Sequence, residues 1–186
     1  MIGLKDKYKD YFKIGAAVNI RSVDTHKELL IKHFNSITCE NETKYISLQE
    51  EENHYSFNDA DRILNFAKDN NMHMRGHTFV WHNQTPDWVF KDATRDILLE
   101  RMKNHMTYVG KRYEKDFYCW DVVNEAIEDK GNIFYRKSPW IDSIGEDFMD
   151  LAFSYAKEIL PETDLYYNDY NESNFPKRDK IYKAVK

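Results

Sequence analysis

Short runs of β-branched and aromatic residues alternate along the chain with longer stretches whose apolar positions recur at three and four. That alternation predicts βα units carrying a parallel sheet. Five strands are expected, over residues 12–19 (FKIGAAVN), 34–41 (FNSITCEN), 74–81 (MRGHTFVW), 117–125 (FYCWDVVNE) and 164–168 (DLYYN), each followed by a helical pattern. In the second helix Asn58 is placed to cap the amides ahead of it, Ile63, Phe66 and Ala67 form the buried face, and Asn70-Asn71 ends it. In the third, Leu98, Met102, Met106, Val109 and Tyr113 make one continuous apolar stripe, which reads as core. The fourth covers about Gly145 to Leu160 on Phe148, Leu151, Ala152, Tyr155 and Ile159, and Pro161 stops it because proline cannot continue the hydrogen-bond ladder. A fifth begins near Pro176 and is still running at Lys186.

No repeat, low-complexity tract or Gly/Ser/Pro linker interrupts this order, so residues 1–186 read as one domain. The last segment, KRDKIYKAVK, is helical with no turn after it, and a further strand is expected to follow; the domain reads as truncated on its C-terminal side. With 41% hydrophobic residues the chain is rich enough for one core. A net charge of -5, with both signs interspersed, lacks the basic face that nucleic acid requires. No apolar run approaches the ~18 residues of a membrane span. The opening MIGLKDKYKDYFKIG puts lysines and aspartates where a signal peptide would be apolar, so a cytoplasmic setting is expected. Cys39 and Cys119 lie in apolar strand-like runs, as buried reduced thiols do, and cannot make a disulfide framework.

In parallel α/β sheets the functional site gathers at the carboxyl ends of the strands. Those ends deliver Asn19; Glu40, Asn41 and Glu42 with Lys44 just beyond; His77 through Trp81, His82, Asn83 and Gln84; Asn124 and Glu125; and Asn168, Asp169, Tyr170 and Asn171. Any one polar strand end is ordinarily the chain returning to water, but five converging on one rim call for a ligand. There is no Gly-rich phosphate loop and no basic cluster. Carboxylates, amides and large aromatics suit sugars: Glu40, Asn41, Lys44, Gln84 and Asn124 can hold hydroxyls, and Trp81 can pack on the apolar face of a pyranose. A glycosidic bond needs a carboxylic acid beside its oxygen and a second carboxylate across the ring. Glu125, directly after Val-Val-Asn at a strand end, is the candidate acid, with Asn124 holding a hydroxyl. No cofactor or metal is implied.

At these residues the sequence resembles glycoside hydrolase family 10, the retaining endo-1,4-β-xylanases. The resemblance rests on FKIGAAVN, FNSITCENETK, RGHTFVWHNQTPDW, WDVVNEAIED, SPW, GEDF and YYNDYN, in family order across the chain. It implies a (β/α)8 barrel, of which this chain carries about the first five βα units, acting on xylan or xylo-oligosaccharides. By the resemblance, Glu125 is the acid/base and Asn124 bonds the 2-hydroxyl of the sugar beside the cleaved bond. Glu40, Asn41, Lys44, His77, Trp81 and Gln84 line the glycone subsites, and an aromatic, Tyr170, borders the cleavage point. The N-terminal composition resembles that of intracellular members.

Two departures stand out. Thr43 occupies a position that is usually apolar, and the Thr-Glu-Leu-Asp-like motif that carries the family's nucleophile does not occur in these 186 residues. The sequence therefore implies an acid without its nucleophile. Hydrolysis is expected only with the rest of the barrel, and a non-catalytic sugar-binding or structural half-barrel is the alternative. An open half-barrel is expected to self-associate or to accept a complementing C-terminal half. Two other readings compete: a metal-dependent isomerase built on His77, His82 and nearby carboxylates, and a Schiff-base lyase on Lys44, whose acidic neighbours should raise its pKa, the wrong direction for a nucleophile.

Overall fold

The computed structural model describes residues 2–186. In chain order the elements are α1 (Leu4–Lys7), β1 (Gly15–Val18), α2 (Ile20–Thr25), α3 (Lys27–His33), β2 (Ser36–Cys39), α4 (Tyr45–Leu48), α5 (Asn58–Asp69) and β3 (His73–Val80). They continue with α6 (Asp87–Phe90), α7 (Arg95–Tyr113), β4 (Phe117–Asn124), α8 (Pro139–Ile144), α9 (Phe148–Ile159), β5 (Asp164–Asn168) and α10 (Lys177–Ala184). The five strands form one sheet in sequential order, every pair parallel, so each strand returns through helix to lie beside its predecessor. A parallel pair cannot be joined by a tight turn, which is why each strand needs its crossover helix. These are five consecutive βα units of a barrel-type fold.

The sheet has two unlike faces. Along β3, Met74, Gly76 and Thr78 are buried toward the helices, while Arg75 and His77 point the other way into a hollow of about 570 Å³ lined from Gly15 in β1 to Asn168 in β5. The helix side holds the core. All five residues of the expected α7 stripe are buried, and α7 packs against α8 and α9; each such apolar side chain contributes about 1.5–3 kcal/mol on burial. Gly76 is required by contact, since a Cβ there would lie 2.1 Å from the buried Trp120 indole, which itself stacks on Phe79 at 4.0 Å.

The structure shortens and shifts several expected elements. β1 and β2 lose residues at both ends, because pairing begins only where Gly15 meets Ser36. Asn58 is not the cap of α5: Phe57 takes that place, its carbonyl accepting the amide of Asp61 at 2.8 Å, and no side chain caps the helix. Phe66 is only half-buried. α9 starts at Phe148 rather than near Gly145, whose positive φ of 107° instead closes the separate short helix α8. α10 ends at Ala184, not Lys186. Cys39 and Cys119 are buried and free. Among the described residues no helix is long and apolar enough to cross a membrane.

Candidate active site

The rim is assembled from short polar turns that follow each strand. Asn19, after β1, caps α2: its side chain accepts from the Ser22 amide at 2.9 Å while Ser22 Oγ accepts from the Asn19 amide at 2.8 Å. Its remaining amide hydrogens reach across to Glu40, Nδ2 donating to Oε2 at 2.7 Å. After β2 the chain turns at Asn41, whose side-chain oxygen accepts from Lys44 Nζ at 3.2 Å. Glu42 is spent on the backbone, accepting from the Ile20 and Asn41 amides at 3.1 Å each, so it is not free to act on a ligand.

Lys44 Nζ lies 4.6 Å from the centre of the Trp81 ring, and Trp81 Nε1 donates to Glu125 Oε2 at 3.0 Å. Asn41, Lys44, Trp81 and Glu125 thus form one contiguous chain of contacts across three strand ends, with Glu40 held beside it by Asn19. The acidic neighbours of Lys44 do raise its pKa, as expected, but the net shift is downward. Burial of the ammonium lowers it, and Glu40, Glu125 and Glu42 only partly offset that. Thr43, the departure from the family pattern, is buried, and its hydroxyl donates to the His77 carbonyl at 2.6 Å.

His77, on the hollow side of β3, bonds through Nδ1 to Asp121 Oδ2 at 2.8 Å, and the other oxygen of Asp121 takes the Arg75 guanidinium. The His77–Thr78 peptide is cis. Sequence reading missed Asp121, although the signal was present: an acid inside the apolar run FYCWDVVN must have a cation, and strand register sets Asp121 beside His77. Among the described residues no group of three or more His, Cys, Asp and Glu is arranged to hold a metal ion.

At the end of β4, Asn124 is buried and its side-chain amide meets that of Asn168 at 2.9 Å. Glu125 follows in the left-handed region, φ 55°, with its amide donating to the Asn168 carbonyl at 2.9 Å. That conformation costs an ordinary residue roughly 1–2 kcal/mol, so the surroundings hold it. Tyr170 lies past β5. Its hydroxyl donates to Asp129 at 2.8 Å and accepts from Arg136 at 2.6 Å, and Lys177 Nζ sits 3.9 Å from its ring centre. Arg136 also lines the crevice that holds Trp81, Asn124 and Glu125, which connects Tyr170 to the surroundings of Glu125. Gln84 alone stands apart: it is exposed at φ 50°, and its backbone carbonyl, not its side chain, is engaged, accepting the Ile46 amide at 3.0 Å.

Besides Asp121, sequence reading missed Asp129, Arg136, Trp140 and Lys177. Asp129 is held low, at about 2: burial raises it, but Lys177, Tyr170 and Arg136 more than offset that.

The pattern that defines glycosyl hydrolase family 10 matches residues 3–186. Endo-1,4-β-xylanase A of Caldicellulosiruptor saccharolyticus is 46% identical over 191 residues, covering 100% of this chain and 56% of the relative. Among solved structures, xylanase XynB from Paenibacillus barcinonensis superposes with a TM-score of 0.96 at 45% identity, over 100% of this chain and 57% of the other. An intracellular xylanase from Thermoanaerobacterium saccharolyticum superposes at 0.93 and 42% identity, over 100% and 62%. The chain therefore spans little more than half the length of these relatives.

Proposed function

The chain belongs to glycosyl hydrolase family 10, and from that membership we propose that it carries the acid/base and glycone-binding part of a retaining endo-1,4-β-xylanase. Its substrates are then β-1,4-linked xylan or xylo-oligosaccharides. The observation that carries this reading is the line of contacts from Asn41 through Lys44 and Trp81 to Glu125, with Glu40 held beside it by Asn19. It offers hydroxyl-binding groups, an aromatic face and a carboxyl group in sequence along one rim.

In this reaction Glu125 gives its proton to the glycosidic oxygen as the bond to the anomeric carbon breaks, while a second carboxylate about 5 to 5.5 Å away bonds to that carbon. Glu125, now ionised, then takes a proton from the water that displaces the second carboxylate. Trp81 steadies the Glu125 oxygen throughout, and Asn124 holds the 2-hydroxyl. Lys44, His77 and Glu40 fix the sugar on the glycone side, Asn41 and Gln84 complete the polar lining, and Tyr170 borders the cleaved bond. The motif bearing the second carboxylate is absent from these 186 residues. Hydrolysis is therefore proposed to require further βα units, and residues 1–186 to be one piece of a single catalytic domain. We place the protein in the cytoplasm, supported by its two buried free thiols and its similarity to a xylanase described as intracellular.

Calorimetric titration with xylotriose tests the binding half of this reading. Saturable binding, weakened about tenfold in Trp81→Ala by loss of the ring's stacking face, is expected. Binding of xylotriose unaffected by both Trp81→Ala and Glu40→Ala would refute it.

A further inference from the structure

Glu125 sits in a strained conformation that is held from β5 and the turn after it. The two amides after it, those of Ala126 and Ile127, both donate to the hydroxyl of Tyr167, at 3.0 and 3.1 Å. That hydroxyl donates in turn to Asp169 Oδ2. The other oxygen of Asp169 accepts from Lys177 Nζ at 2.6 Å and from the Tyr170 amide at 2.8 Å. The Asp169 and Lys177 side chains are each only 1% exposed. Burial, helped by the adjacent Asp169 carboxylate, pushes the Tyr167 phenol up, so it stays a donor to Asp169 across the neutral range. A second acid, Asp129, accepts from Lys177 at 2.7 Å and fixes the ammonium from the loop after β4.

We propose that Tyr167, itself fixed by Asp169 and Lys177, is a positioning residue for the Glu125 carboxyl group. The argument is geometric. The amide of Glu125 is tied to Asn168, and the next two amides are tied to the phenol of the residue before Asn168. Both ends of the turn are thereby anchored on β5, and the only freedom left to Glu125 is its own side chain, which Trp81 fixes at 3.0 Å. Without the phenol hydroxyl two amides lose their acceptor, and φ 55° at Glu125 is no longer enforced from its C-terminal side. The carboxyl group then leaves the indole.

This inference rests on the reading of Glu125 as proton donor, but its test does not need turnover. The protein has four tryptophans. Trp81 Nε1 bonds to Glu125 and Trp140 Nε1 to the Trp81 carbonyl, whereas Trp88 and Trp120 have no partner and serve as internal references. The four indole N–H resonances are assigned by single Trp→Phe changes, and the Trp81 signal is recorded in wild type and in Glu125→Ala to define its bonded and free positions. In Tyr167→Phe, which keeps the ring packing, the Trp81 signal is expected to move at least halfway to the free position while the Trp88 and Trp120 signals stay.

Asp169→Asn, which keeps the phenol but removes its charged acceptor, is expected to move the Trp81 signal the same way and by less. This second variant decides the matter if Tyr167→Phe does not fold. A Trp81 signal unmoved in the folded variants overturns the proposal, since it makes the phenol a partner of two amides and nothing more. Azide-dependent release of aryl alcohol from aryl β-xylobiosides is read in parallel. If positioning is lost, substrates with basic leaving groups, which need the proton, slow at least tenfold while activated ones are spared. A moved Trp81 signal with no turnover under any condition upholds the positioning and refutes the functional reading instead.

Discussion

Trp140 donates its indole N–H to the main-chain oxygen of Trp81 at 2.9 Å, so a fully buried residue of α8 fixes the aromatic that contacts Glu125. Trp140 is also packed edge-on against Phe90 at 4.9 Å. Trp140→Phe retains most of the apolar volume but leaves the Trp81 carbonyl without that donor. A loss of about 0.5–1.5 kcal/mol in urea unfolding is expected, together with weaker xylotriose binding, because the Thr85 hydroxyl is then the one donor left on the Trp81 carbonyl. Unchanged binding would mean that the ring contacts of Trp81 and the Thr85 hydroxyl on its carbonyl suffice to hold it.

On the hollow face Asp121 pairs with the Arg75 guanidinium and bonds to His77 Nδ1. Its side chain is 3% exposed. Asp121→Ala leaves the Arg75 charge without its partner, and removing one member of a buried pair typically costs about 3–5 kcal/mol. Arg75→Met with Asp121→Leu should recover much of that loss. Urea midpoints of the single and double variants check both statements.

His105 carries the clearest pH dependence. It is buried and stacked on Tyr45 at 3.5 Å, Nδ1 meets Gln49 Oε1 at 3.0 Å and Nε2 has no partner. Burial pushes its pKa down to about 3 from the usual 6.5. Below pH 6.5 the unfolded chain therefore takes up a proton that the native protein refuses. The contribution is fully present above that value and is lost as pH falls toward 3, by roughly 1.6 kcal/mol between pH 6.5 and 5. Urea unfolding across this window should show the slope in wild type and a flatter one in His105→Gln.

Among the described residues, β1 and β5 each pair with one neighbour only. Beside β5, Phe153, Leu165, Ile181 and Val185 help to line a hollow of about 530 Å³. A parallel edge with an apolar hollow next to it is a template for association. Sedimentation velocity of the 186-residue chain should show concentration-dependent species larger than a monomer. A charged Leu165→Lys variant should shift them toward monomer, whereas a concentration-independent monomer in wild type would refute this.

The sequence made the strands, the α7 stripe and most rim residues legible because those signals are local: a period, a proline, a polar residue closing an apolar run. What it hid was pairing across distance. Lys177 and Asp129 are 48 residues apart, and each alone reads as an ordinary surface charge. The cap of α5 was misread because Asn58 is a good capping residue in the abstract, yet the backbone turns one residue earlier, at Phe57. The sign of the Lys44 shift could not be read either. Acidic neighbours are visible in sequence, but the burial that outweighs them is a property of the packed rim.

The central claim, that Glu125 is a competent acid awaiting a nucleophile, is tested most directly by incubating the protein with an aryl β-xylobioside in azide. Azide attacks the anomeric carbon as the aryl C–O bond breaks, and the aryl alcohol leaves with the proton of Glu125. With a basic aryl leaving group, which needs the proton, the account predicts no hydrolysis in buffer, aryl alcohol and the inverted α-xylobiosyl azide when azide is added, and loss of both in Glu125→Ala. Azide-dependent release that persists unchanged in Glu125→Ala would contradict it.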